Sequence, residues 1–73
     1  EISTIMSAMR RFPNSERLQG HACVALRNFL LSADNAAVVR GQAPELEQLM
    51  NGAAERFPDR CAERAKQVLA SLR

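Results

Sequence analysis

Four side chains, Arg17, His21, Val24 and Asn28, follow one another at steps of four, three and four. Steps of that size place them in one row along a helix. Forty-three positions later the same row reads Arg60, Arg64, Gln67 and Ser71. Neither row contains an acid. Guanidinium groups without acidic neighbours are suited to fork-like hydrogen bonds with carboxylates or phosphates. Side by side, the two rows would form a polar, basic groove for an acidic or carboxylate-bearing segment. The bland alternative is an ordinary solvated helix face.

Catalysis finds less material. His21 and Cys23 are two apart on a helix, so they diverge and cannot share a metal or form a nucleophilic pair. The second cysteine, Cys61, is remote in sequence. No glycine-rich phosphate loop is present. Asp34 and Asp59 fit helix capping better than acid–base work. We therefore expect no catalytic residues, no metal, no cofactor and no enzymatic activity.

The elements that would position the rows are helices. Leu18, Ala22, Ala25, Leu26 and Phe29 recur at steps of three and four. The pattern returns 43 residues on as Cys61, Ala65, Val68, Leu69 and Leu72. Arg11-Phe12-Pro13 is echoed upstream of the second copy by Arg56-Phe57-Pro58. This phase predicts that Leu26 and Leu69 are equivalent buried positions. A first helix is predicted from Ile2 to Phe12, with Ile2, Ile5, Met6 and Met9 as its stripe. Pro13 ends it, and Asn14 or Ser15 caps a second helix that runs to about Leu31. Gly20, inside that helix, marks a close helix crossing. After a turn at Ser32–Asn35, a short helix spans Ala36 to Arg40, with Gly41 as its stop. Pro44 opens a fourth helix that ends before Pro58. Asp59 caps the fifth, which runs to about Leu72. Met6, Met9 and Met50 read as core filler, and no strand pattern competes.

The order long, long, short, long, long, with Ala22-Cys23-Val24-Ala25-Leu26-Arg27-Asn28-Phe29 and then Asp34-Asn35, Val39 and Gly41, resembles the armadillo repeat family. The related HEAT repeat, which lacks a separate short helix, is the near alternative. The resemblance implies an all-α fold, a right-handed α-α superhelix fragment of about one and two-thirds repeats. Residues 1–33 would be a partial repeat carrying the second and third helices, and 34–73 a full repeat, within one structural domain. In such proteins the third helices line a groove that holds an extended peptide. Members that bind nuclear-targeting peptides use a groove Asn, matched here by Asn28, and a Trp four residues earlier, where this chain has Val24. The implied function is a protein-interaction scaffold. Its partners would be a peptide in the groove and adjacent repeats or a second copy at the open ends of the stack.

Composition narrows the rest. A chain of 73 residues holds one small domain with a marginal core. Trp and Tyr are absent, which removes the usual aromatic anchors of a binding hot spot. The net charge of +2 is too small to require nucleic acid. A small basic nucleic-acid-binding module is nonetheless the alternative, because Arg is abundant and Lys66 is the sole lysine. Against it, the segment from Gly41 on is balanced, with five basic and five acidic residues. No apolar run reaches membrane-span length and no secretion signal opens the chain, so no membrane partner is expected. The expected setting is intracellular, cytoplasmic or nuclear. The positions of Cys23 and Cys61 allow a disulfide, but helical placement in a reducing compartment favours two buried thiols. The chain opens at Glu1 in mid-pattern, as a piece of a longer protein would.

Overall fold

A computed structural model describes residues 2–72, and these are all-helical, with no strand among them. Five helices follow one another: α1 (Ile2–Arg11), α2 (Glu16–Phe29), α3 (Ala33–Gly41), α4 (Ala43–Arg56) and α5 (Pro58–Ser71).

Local chemistry sets most of the boundaries. Arg10 and Arg11 occupy the last turn of α1, where cations suit the helix dipole, and Pro13 follows. Ser15 is the cap of α2: its Oγ accepts from the Leu18 amide at 3.2 Å. Phe57, just before Pro58, has φ −133° and ψ 67°, outside the helical region as a pre-proline residue should be. Its carbonyl accepts from the Cys61 amide at 2.8 Å and so starts α5.

Two expectations fail at this level. The short helix is longer than Ala36–Arg40, because the Ser32 carbonyl accepts from the Ala36 amide at 2.8 Å and starts the helix at Ala33. Asp34 and Asp59 are not caps. They lie in the first turns of α3 and α5, whose capping positions belong to Ser32 and Phe57. There the carboxylates still favour the helix through its dipole. α3 does end at Gly41, as expected, but without a left-handed turn, since no described residue has positive φ. Gln42 alone separates α3 from α4, its amide donating to the Val39 carbonyl at 3.0 Å and its carbonyl accepting from Leu46 at 2.9 Å.

α5 packs between α4 and α2, and α1 packs on α2. The core holds Met6, Met9, Leu26, Leu46, Met50 and Val68, each at most 1% exposed. The three methionines are core residues, as their spacing predicts. Gln19 is the buried polar member of this interior, 2% exposed. Its Nε2 donates to the carbonyls of Met9 and Phe12, both at 3.0 Å, and so satisfies the end of α1.

Leu26 is fully buried, but Leu69 is only half-buried, and Val68 takes the fully buried place. The reason lies in what covers each helix. α2 meets α5 on the side carrying Cys23 and Leu26. On α5 the corresponding positions are Lys66, which is exposed, and Leu69, which is half-buried against the core. α5 is covered on its other side, at Cys61, Ala65 and Val68, which corresponds to the half-open side of α2 at Leu18 and Ala25. A 43-residue sequence period therefore coexists with a burial pattern rotated between the copies. The Phe pair diverges too: Phe57 packs against the core, whereas Phe12 is 49% exposed beside Arg11. At the other contact, Arg10 pairs with Glu45 in the first turn of α4.

Candidate functional site

α2 and α5 run side by side in the same direction. Gly20 lies against Arg60 near their starts, and Arg27 Nη1 donates to Gln67 Oε1 at 3.4 Å near their ends. Parallel packing is what places one predicted row beside the other. Between them opens a cleft of about 310 Å³, lined by Gly20, His21 and Val24 from α2 and by Arg60 and Arg64 from α5.

The glycine sets the near wall. A methyl carbon built on Gly20 would lie 2.7 Å from Arg60 Nε, 2.9 Å from Cδ and 3.0 Å from Cγ. The stem of Arg60 thus occupies the space that any other residue would fill with its own Cβ. Arg60, Arg64 and His21 remain exposed at the cleft, and Val24 is half-buried. Among the described residues, the ion pair is Arg10 with Glu45, and neither cleft arginine has an acidic partner.

The eight predicted residues do not form one continuous groove. His21, Val24, Arg60 and Arg64 come together. Gln67 is engaged by Arg27, and its own backbone carbonyl accepts from Ser71 Oγ at 3.1 Å. The Ser71 carbonyl in turn accepts from Arg40 Nε at 3.3 Å, which closes the far end of α5. Asn28 lines a separate depression with Ala25, Phe29 and Asn35. Arg17 is exposed and lies outside the cleft lining. The usable site is therefore the half of the groove nearest the starts of α2 and α5. Sequence reasoning marked Gly20 as a crossing point but missed that an arginine stem fills it. It also missed Arg27, because a neighbour across the helix pair leaves no periodic signal.

Cys23 and Cys61 are fully buried, free thiols in the α2–α5 contact, within hydrogen-bonding reach of each other. Burial, then the neighbouring Cys61 thiol, pushes the Cys23 thiol up to about 12. Burial also raises Cys61, opposed in part by the Cys23 hydrogen bond and the nearby Arg60. Both are thus poor nucleophiles at neutral pH. Among the described residues, no three His, Cys, Asp or Glu side chains converge on a place for a metal ion. No helix of the described chain is long and apolar enough to cross a membrane. Comparison with protein-family models, with curated protein sequences and with solved structures returned no match to this chain.

Proposed function

We propose that this chain is a non-catalytic protein-interaction module, an armadillo-like helical-repeat fragment that takes an extended acidic peptide in the α2–α5 cleft. The observation that carries this reading is the rim itself: Arg60 and Arg64, without acidic partners among the described residues, face His21 across an open cleft. The repeat reading draws support from the helix order and the parallel α2–α5 packing. Two reduced thiols suit an intracellular setting, cytoplasmic or nuclear.

Spacing specifies the ligand further. Arg60 and Arg64 are one turn apart, about 6 Å along the helix axis. Alternate residues of an extended strand lie about 6.6–6.8 Å apart on one face. The ligand therefore carries Asp or Glu at every second position, so that successive carboxylates meet successive guanidinium groups. Val24 offers a small apolar contact between them.

The test is fluorescence anisotropy with a labelled peptide of alternating Glu and Ser. Exposed pairs each contribute up to about 1 kcal/mol, and reversal replaces attraction with repulsion. Arg60→Glu with Arg64→Glu should weaken binding by about 30- to 150-fold, or roughly 2–3 kcal/mol, with helicity and melting temperature preserved. Unchanged binding in that double variant would refute the proposal. So would tighter, steeply salt-dependent binding of a single-stranded oligonucleotide, which is the signature of a nucleic-acid module.

A further inference from the structure

We infer that Gly20 is a specificity-determining residue of the cleft: its missing Cβ is the seat that holds Arg60 in place for an acidic ligand. This rests on the acidic-peptide reading and adds a residue to it that carries no polar side chain.

Glycine in a helix interior is a disadvantage that Ala would remove. Gly20 nevertheless sits in the second turn of α2, itself buried, with no positive φ to explain it. Backbone conformation therefore does not call for glycine here, but space does. Three consecutive heavy atoms of Arg60, Cγ, Cδ and Nε, lie within 3.0 Å of where a Cβ would be. That is closer than carbon atoms pack without one of them moving. The part that must move is the exposed Arg60 side chain, not the backbone.

Gly52 shows the contrast. There a Cβ would meet only the guanidinium tip of Arg56, at 3.1 Å, and that tip can swing aside. At Gly20 the contact runs along the stem, so a methyl group expels the side chain as a whole. An arginine left free in solvent loses rotamer freedom each time it binds a ligand. One laid along a helix has already lost part of it. Gly20 thus converts a mobile surface charge into a positioned one, while Arg64, one turn on, has no such seat.

The experiment is a double-mutant cycle with the alternating Glu-Ser peptide, using Gly20→Ala, Arg60→Ala and the two combined. Gly20→Ala should weaken binding about two- to threefold, part of the roughly fivefold loss of Arg60→Ala, with a melting temperature at or above that of the parent. The combined variant should bind no more weakly than Arg60→Ala. In parallel, the ¹⁵N–¹H nuclear Overhauser effect of the Arg60 Nε–H should be larger than that of Arg64 in the free parent protein, and should collapse to the Arg64 value in Gly20→Ala. Parent-like peptide binding by Gly20→Ala, or losses that simply multiply in the combined variant, would overturn the inference. Equal mobility of Arg60 and Arg64 in the parent would do so even if the Ala variant failed to fold. If the parent protein does not bind the peptide, the acidic-peptide reading fails, and with it the specificity role of Gly20. The mobility comparison then still decides whether the seat exists.

Discussion

Replacing Gln19 by Glu keeps the shape of a buried side chain and removes its two N–H donors. In the folded protein Nε2 donates to the Met9 and Phe12 carbonyls, both at 3.0 Å, and the residue is 2% exposed. A carboxylate in that place would face two oxygens. The group escapes by staying protonated. It then keeps one O–H donor and loses one hydrogen bond, at a cost of about 0.5–1.5 kcal/mol. Holding a proton at pH 7 on a group whose unfolded pKa is about 4.3 costs a further 3.7 kcal/mol or so. The total is about 4–5 kcal/mol at pH 7, and about 1 kcal/mol near pH 4, where the unfolded chain is largely protonated as well. The sign follows from the raised folded-state pKa: the variant approaches the parent at low pH and falls behind it as pH rises above about 4.3. A domain of this size holds only about 4–11 kcal/mol in total, so the variant should be largely unfolded or barely folded at neutral pH. Urea denaturation followed by circular dichroism, parent against variant at pH 4 and pH 7, measures the difference. A deficit that is the same at both pH values would refute the reasoning, since a solvated carboxylate would behave in that way.

Leu26→Ala should cost about 2–5 kcal/mol in the same assay, and Leu69→Ala clearly less, because Leu69 is only half-buried; equal losses would contradict the rotated burial described above. The thiols should remain reduced and unlabelled by iodoacetamide at pH 8 in the folded protein, with an intact mass showing no two-hydrogen deficit. Since Cys23 is raised from 9.0 to about 12, its contribution to stability is complete below pH 9 and is lost from there upward. The slope is about 1.4 kcal/mol per pH unit, and Cys23→Ala should flatten that alkaline limb of the stability curve.

Helix count, helix type and approximate boundaries were legible in the residues because each rests on chemistry within a turn or two. Pro13 and Pro58 break the chain through their own rings, Ser15 caps the helix that follows it, and the stripe of Met6 and Met9 shows which side of α1 is buried. Errors collected where two local signals competed. Ser32 outdid Asp34 as the start of α3, and Phe57 outdid Asp59 at the start of α5 because Pro58 already constrains the residue before it.

What covers each helix was decided only by the tertiary arrangement. The sequence repeats at 43 residues, yet burial does not: Cys23 and Leu26 of α2 are fully buried, whereas the corresponding Lys66 and Leu69 of α5 are exposed and half-buried. The candidate site divides in the same way. Its residue types and their helical rows are properties of the sequence, since side chains three and four apart must share a face. Which of them stay free is not such a property. Gln67 is taken up by Arg27, the Ser71 carbonyl by Arg40, and Asn28 lies in another depression, while His21, Val24, Arg60 and Arg64 line one cleft. Those outcomes depend on distances between helices more than 30 residues apart in the chain. A periodic pattern tells which way a side chain points from its own helix, and carries no information about the residue it will meet there.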